Sequence, residues 1–306
     1  MLVSVIIPVY NGARFLATAI QSLLAQTLTD FEIIAVNDGS TDDSKRILDR
    51  AAAGDPRIRV LSRPNTGIVG ALNDGIAMAC GELVCRMDAD DISLPQRLEK
   101  QVAYLAGHPE CVAVGTDVLY TDPEGAPLVR HYPDEDHEGI VEQLLNGNGG
   151  ALIHPTIAVR RRSLDEVGGY RARYQWIEDF DLYLRLSEKG RLANLPEVHL
   201  HYRQHLSSVN KVCPNRDRIC LELVNARRTV LGLTPLARVS EGPQPDRAAD
   251  WRRHWAFDAA RGGNWASARK NAKKALLAAP LDLRNWRCLK YMLLSSPNAA
   301  GPPVNA

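Results

Sequence analysis

Strand-like and helix-like stretches alternate four times within the first ninety residues, and no other feature of this chain limits its fold as much. Residues 3–9 form an apolar, β-branched run that ends in Pro8-Val9-Tyr10-Asn11-Gly12, as a buried parallel strand followed by a turn requires. Leu16, Ile20, Leu23 and Leu24 then recur at helical spacing. A second strand over 31–36 is broken by Asn37-Asp38-Gly39-Ser40, and Ser40 with Asp43 three residues later predicts a capping box for the helix carrying Ile47 and Leu48. Residues 58–61 read as a third strand, Ile68, Leu72, Ile76 and Ala79 as a third helical face, and residues 83–87 as a fourth strand. This alternation predicts an α/β fold with a mostly parallel central sheet flanked by helices and a Rossmann-like first half. Ligands of such sheets bind beyond the carboxyl ends of the strands. Tyr10-Asn11, Asn37-Asp38, Arg63-Pro64-Asn65 and residues 88–91 all fall there, so four polar loops are expected to share one crevice.

The fourth of these loops is the densest in charge. Arg86-Met87-Asp88-Ala89-Asp90-Asp91 sets three carboxylates within four positions directly behind an apolar run. On extended backbone Asp88 and Asp90 leave the same face, where together they could hold one hard divalent ion, Mg²⁺ or Mn²⁺. The plainer alternative is a solvated acidic turn ahead of the next helix.

Beyond a helix over 94–106 and a strand over 112–120 the pattern becomes irregular. Gly147-Asn148-Gly149-Gly150 reads as a loop, Glu178-Asp179-Phe180-Asp181 opens an amphipathic helix, His199 to Arg203 is strand-like, and a helix over 216–231 closes the main domain. Ser240 to Asp246, with two prolines and a glycine, reads as a linker. Three helices follow, the first two resembling a single tetratricopeptide-type pair with no second copy. The division expected is therefore 1–234 for the main domain and 235–306 for the linker and a basic, Trp-rich helical extension.

Hydrophobic residues make up 45% and charged residues 24%, which argues against overall disorder. The net charge of +1 conceals an asymmetry: 12 Lys and Arg against 5 Asp and Glu from Pro235 onward give +7, so the remainder carries −6. That mildly acidic body gives no footing for nucleic acid. Six cysteines without a C-x-x-C pair, an amino terminus that reads as a strand rather than a signal peptide, and no bilayer-length apolar run point to a cytoplasmic protein. Four of the five tryptophans fall in the basic tail, where packing of the helices is the expected role and contact with a membrane surface is the alternative.

Ser4-Val5-Ile6-Ile7-Pro8-Val9-Tyr10-Asn11, Asn37-Asp38-Gly39-Ser40-Thr41-Asp42, Met87-Asp88-Ala89-Asp90-Asp91 and Glu178-Asp179-Phe180-Asp181, in this order, resemble the motifs of family 2 glycosyltransferases of the GT-A fold. The likeness runs over residues 1–210. It implies transfer of a sugar from a nucleotide-diphosphate donor, most often a UDP-sugar, to a glycan or lipid-linked acceptor, with inversion and with divalent Mn²⁺ or Mg²⁺. By the same resemblance, Pro8, Val9, Tyr10, Asn11 and Asp38 match nucleotide-binding positions, with Asn65, Gly67 and Asn73 completing that wall. Asp90 matches the direct metal ligand, Asp88 the partner that contacts ribose or metal, and His205 the late histidine of the metal shell, with His201 as competitor. Asp179 matches the general base and Glu178 its neighbour. Each has a plainer counterpart: Asp38 as an Asp-Gly turn former, the late histidines as structural hydrogen-bonders, and Glu178-Asp179 as an acidic first helical turn. The absence of Q-x-x-R-W, with His201-Tyr202-Arg203-Gln204-His205 in its place, argues for single-sugar transfer over processive synthesis. The competing function is a catalytically silent nucleotide-sugar binder that recruits partners through its tail. An Asp-rich phosphohydrolase would want an aspartate where this chain has Tyr10-Asn11.

Overall fold

The computed structural model describes residues 1–206, 215–239 and 247–295. The expected linker over 240–246, the last residues of the family likeness and Cys213 lie outside them. The five described cysteines, Cys80, Cys85, Cys111, Cys220 and Cys288, are free thiols.

The chain divides into two compact units. The first comprises Met1–Val118, Tyr132–Leu200 and Cys213–Glu241. Its opening is the predicted alternation: β1 (Val3–Val9), α1 (Ala13–Leu24), β2 (Phe31–Asp38), α2 (Ser44–Gly54), β3 (Ile58–Arg63), α3 (Ile68–Met78) and β4 (Leu83–Arg86). Parallel pairing aligns Val3 with Phe31 and with Leu83, and Ile33 with Ile58. Next come β5 (Ile92–Ser93), α4 (Arg97–Gly107), β6 (Cys111–Thr121), β7 (Pro127–Arg130), α5 (His137–Leu145), β8 (Ala158–Arg160), α6 (Arg161–Val167), α7 (Glu178–Leu186), β9 (Arg191–Arg203) and α8 (Arg216–Val230). The sheet order is β3-β2-β1-β4-β8-β6-β9-β5, with β8 antiparallel to both β4 and β6. The order reverses between β1 and β4, and that switch point is where a doubly wound sheet opens its ligand crevice.

α1 seals the sheet with the face its sequence predicts, whereas of the predicted Ile68-Leu72-Ile76 face of α3 only Leu72 is buried and the two isoleucines are half-buried. α1 buries Leu16, Ala19, Ile20 and Leu23. α3 buries Val69, Ala71, Leu72 and Gly75, and a methyl group at Gly75 would come within 2.6 Å of Ile6 Cγ2, so glycine lets this helix lie close on β1. One local expectation fails: α2 is capped at Asp43 without a side-chain bond, and no Ser40 capping box forms. The Ser40 hydroxyl instead accepts the Asn11 N–H at 3.0 Å, so the loops after β1 and β2 hold each other.

The second unit comprises Leu119–His131, His201–Val212 and Gly242–Ala306. Its helices are α9 (Ala248–Arg261), α10 (Trp265–Ala278) and α11 (Leu283–Leu294). Trp255, Ala256, Ala259, Trp265, Ala268, Ala272, Cys288 and Met292 form its core with Leu128 of β7. Buried Asp122 ties the β6–β7 hairpin to α10: it accepts the Glu124 and Ala126 N–H groups, the Asn271 amide at 3.0 Å, and an ion pair from Lys270. Beside it, burial would raise Glu124, but hydrogen bonds from Lys274 and Arg252 outweigh that and hold it down at about 2.

Candidate active site

At the carboxyl end of β1, Asn11 takes a left-handed conformation, φ 51°. Its side-chain oxygen accepts the Thr41 N–H at 2.8 Å and the Asp42 N–H at 3.3 Å. Asn11 thus locks two loops together and leaves Tyr10, 54% exposed, projecting from the turn. Val9 is buried and Pro8 half-buried beneath it.

Asp38, at the end of β2, is buried and accepts the Thr66 N–H at 3.1 Å and the Gly67 N–H at 2.9 Å. The Arg63 guanidinium lies 3.3 Å away. The carboxylate therefore organises the loop between β3 and α3, a more specific task than shaping an Asp-Gly turn. Gly39, at φ +72°, allows that loop to approach, since a Cβ there would meet the Asn65 amide nitrogen at 2.7 Å. Asn65 is exposed on the loop, and Gly67, at φ +90°, leads into α3. Both ends of the Asn73 amide are taken by the main chain of Tyr170, at 2.8 and 2.9 Å. Asn73 thus anchors the segment before α7.

Asp88, Asp90 and Asp91 follow β4, and each places a carboxylate oxygen within 4.8 Å of the others. Three hard oxygen donors this close are the donor set Mg²⁺ or Mn²⁺ prefers, so the residues present fit a divalent cation. Asp88 is gripped by Arg86, whose two guanidinium arms reach its two oxygens. Burial, reinforced by Asp90, pushes the Asp88 carboxyl up despite the pull of Arg86. Asp91 is buried, and its charge acts on Arg97, a fully buried guanidinium that donates to the Arg86 carbonyl at 2.7 Å. Burial draws Arg97 down to about 10. Gln101, one turn along α4, accepts from Arg97 at 3.2 Å and donates to the Val114 and Thr156 carbonyls. A buried polar layer therefore supports the acidic loop from below.

Glu178 and Asp179 open α7, and the field of Arg86 reaches both of them. Glu178 is buried and accepts the Trp176 N–H at 2.7 Å; burial first, then Asp179, raises its carboxyl to about 7. Asp179 is partly exposed; its carboxyl is also raised by burial, and one oxygen accepts the Phe180 N–H at 2.7 Å. The other oxygen lies 4.0 Å from His154 Nδ1. His154 is buried, meets the Tyr170 hydroxyl through Nε2 at 2.7 Å, and is kept neutral at ordinary pH by burial, with Arg86 adding to the effect. The tautomer with hydrogen on Nδ1 turns that N–H toward Asp179. Asp181, on the other side of α7, is fully buried between Arg171 and Arg185. The acidic turn thus splits into two roles: Glu178 and Asp179 face the site, and Asp181 anchors the helix.

The structure accordingly brings Asp88, Glu178 and Asp179 within the field of the buried Arg86 guanidinium, with Asp90 and Asp91 beside Asp88. Sequence reasoning missed Arg86, Arg97, Gln101 and His154 as members of this cluster. The available signals were an arginine amid a strand's apolar run, two polar residues four apart on the inward face of α4, and His154-Pro155-Thr156 just ahead of β8. His201 and His205 belong to the second unit, where His201 is half-buried and His205 buried.

The strand order and the acidic loop after β4 define a GT-A glycosyltransferase fold. Among solved structures, S. aureus TarS 1-349 in complex with UDP-GlcNAc shares this fold with a TM-score of 0.58 over 95% of this chain and 91% of that one, at 16% identity. The model of glycosyl transferase family 2 matches residues 4–168, more than half of the chain, which belongs to that family and is a glycosyltransferase. Similar relatives include the amylovoran biosynthesis glycosyltransferase AmsE of Erwinia amylovora, 34% identical over 68% of this chain and 78% of its own length. The O-antigen biosynthesis glycosyltransferase WbnJ of Escherichia coli is 30% identical over 69% and 82%. Among the described residues, no helix is long and apolar enough to cross a membrane.

Proposed function

We propose that this chain transfers one sugar, a hexose or N-acetylhexosamine, from a UDP-sugar to a hydroxyl of a glycan or lipid-linked acceptor, with inversion at the anomeric carbon. The observation that carries the reading is that the buried guanidinium of Arg86 acts on both acidic groups at the sheet's switch point, on Asp88 of the Asp88-Asp90-Asp91 cluster and on Glu178 and Asp179. Support for a surface-polysaccharide role comes from the names of AmsE and WbnJ, and for a UDP-sugar from the UDP-GlcNAc complex of TarS. Residues 1–234 constitute the transferase proper in this reading, and 235–306 the appended linker and helices.

The parts divide the work as follows. Pro8, Val9 and Tyr10 with Asp38, Asn65 and Gly67 form the nucleotide wall, which Asn11 and Asn73 hold in shape. Asp88 and Asp90, with Asp91 beside them, would hold a divalent ion. That ion, when bound, acts as a Lewis acid toward the departing diphosphate. Asp179 takes the proton of the attacking hydroxyl. Burial raises its affinity for protons, which favours taking one from the acceptor, and the neutral His154 orients it without competing for its charge. Glu178 fixes the turn at Trp176 through its hydrogen bond, which sets where Asp179 points.

The test is a thermal-shift panel of nucleotide-sugars with and without Mn²⁺, followed by UDP release in the presence of the stabilising donor. A ligand at about 100 times its Kd stabilises by about 2.7 kcal/mol. UDP-sugar stabilisation that needs Mn²⁺, with slow UDP release to water, is the expected result. Stabilisation without any release under these conditions would favour a silent binder.

A further inference from the structure

The three C-terminal helices bury three of their four tryptophans wholly or in part, and leave the fourth outside. Trp255 and Trp265 lie in the core of the second unit and Trp251 packs against it, whereas Trp286 is 53% exposed with its indole N–H already donated to the Pro280 carbonyl. The general expectation that the tail's tryptophans pack together therefore holds for α9 and α10 but not for α11.

Trp286 does not stand alone. At 3.6 residues per turn, Leu283, Trp286, Arg287, Lys290, Leu293 and Leu294 fall on one side of α11, opposite the buried Asn285, Cys288 and Met292. All six are exposed, Leu283 at 68% and Leu294 at 74%. Leu281, in the turn before α11, is 96% exposed, and Leu277 near the end of α10 is 81% exposed. Residues 265–295 carry seven Lys and Arg against a single acid, Asp282, for a net +6. Asp282 is already neutralised by Arg247 and Arg284. No ion pair to Lys273, Arg287 or Lys290 is found among the described residues.

Apolar side chains and a tryptophan interleaved with unneutralised cations on one helix face are a poor match for nucleic acid, which offers no partner for exposed leucines. They match the boundary between anionic headgroups and acyl chains, where indole and leucine enter the interface while Lys and Arg stay among phosphates. We infer that the outer face of α11, with Leu277 and Leu281, is a docking surface for an anionic lipid bilayer. The inference goes beyond the transfer reaction, and its readout requires neither donor nor acceptor.

The experiment is flotation of the full chain with phosphatidylcholine vesicles, with and without about one-third phosphatidylglycerol, at low and high salt. The expected result is flotation with anionic vesicles only, weakened by salt because a surface attraction is screened. Two variants test the two halves of the surface separately. Arg287→Glu with Lys290→Glu should lower partitioning about ten-fold or more, since each cation near an anionic surface contributes about five-fold. Trp286→Ser with Leu294→Ser should lower it similarly while leaving the charge unchanged. Because all four positions are exposed, the thermal unfolding of both variants should match the parent. Failure of the parent chain to float with anionic vesicles at low salt overturns the inference, as does flotation that neither variant reduces. Sedimentation showing self-association that the same variants abolish, without vesicle binding, would instead assign this face to a second copy of the chain. If UDP-sugar binding fails while flotation behaves as expected, the transferase reading fails and the docking surface stands.

Discussion

Arg86 and Asp88, two residues apart at the end of β4, form a two-armed ion pair in which both guanidinium arms meet both carboxylate oxygens. That places a protein cation within reach of the same acids that would hold a metal. A divalent ion held through Asp88 would share that carboxylate's charge with the Arg86 guanidinium, which already donates to both oxygens. Arg86→Gln should therefore lower stability in EDTA by about 3 kcal/mol, the lower end for breaking a buried pair because Asp88 is partly open to solvent. It should also enlarge the stabilisation gained on adding Mn²⁺, since the ion then becomes the cluster's main counter-charge. Thermal unfolding with and without Mn²⁺ measures both effects, and a Mn²⁺ shift no larger than that of the parent chain would remove the sharing argument.

Asp90→Ala probes the same cluster from the other side. Its removal should abolish the Mn²⁺ dependence of UDP binding while leaving the fold intact. Calorimetry of UDP with and without Mn²⁺ decides this, and an unchanged Mn²⁺-dependent affinity would move the metal site elsewhere.

Glu178 gives a prediction in pH. Burial, and then Asp179, lifts its carboxyl from the ordinary 4.5 to about 7. Between those values the folded protein keeps a proton that the unfolded chain has lost, so this group's contribution to stability falls as pH rises from about 4.5 to 7. The loss is on the order of 3 kcal/mol across the window. Glu178→Gln, which cannot titrate, should remove that slope and become relatively more stable than the parent toward pH 7. Chemical denaturation of metal-free protein at several pH values measures it, and parallel profiles for the two proteins would show that Glu178 is not held protonated.

How far these features could be read from the chain depended on how local they were. The strand and helix alternation of the first ninety residues and the presence of three helices in the tail follow from apolar periodicity, because each element buries one face against a neighbour close in sequence. What stayed hidden were pairings over long separations. Asn73 meets Tyr170 and Asp38 meets Gly67 across chain distances that no spacing rule spans. The 13-residue length of β9 was hidden too, since only its last part alternates visibly. Arg97 and Gln101 escaped notice because a polar residue on a helix's inner face reads as solvent-facing until the buried carbonyls it serves are known.

Asp179 separates chemistry from binding. A general base acts on the acceptor as it attacks, so losing it should lower kcat while leaving donor affinity nearly unchanged. Asp179→Asn keeps size and the hydrogen bond from Phe180 but cannot take a proton. UDP-sugar should bind this variant within a few-fold of the parent, while transfer falls by about two to four orders of magnitude, roughly 3–5 kcal/mol of barrier. His154→Asn, which removes the imidazole beside Asp179, should lower kcat less. Asp181→Asn supplies the contrast. Its carboxylate is buried between Arg171 and Arg185, so the substitution should cost about 3–5 kcal/mol of stability and leave the kcat of the remaining folded protein close to that of the parent. Kinetics with water as the acceptor, alongside thermal unfolding, distinguishes the two aspartates. Near-parental turnover in Asp179→Asn with loss of turnover in Glu178→Gln would shift the base to the neighbouring residue; full turnover in both would reduce the acidic turn to a helix cap.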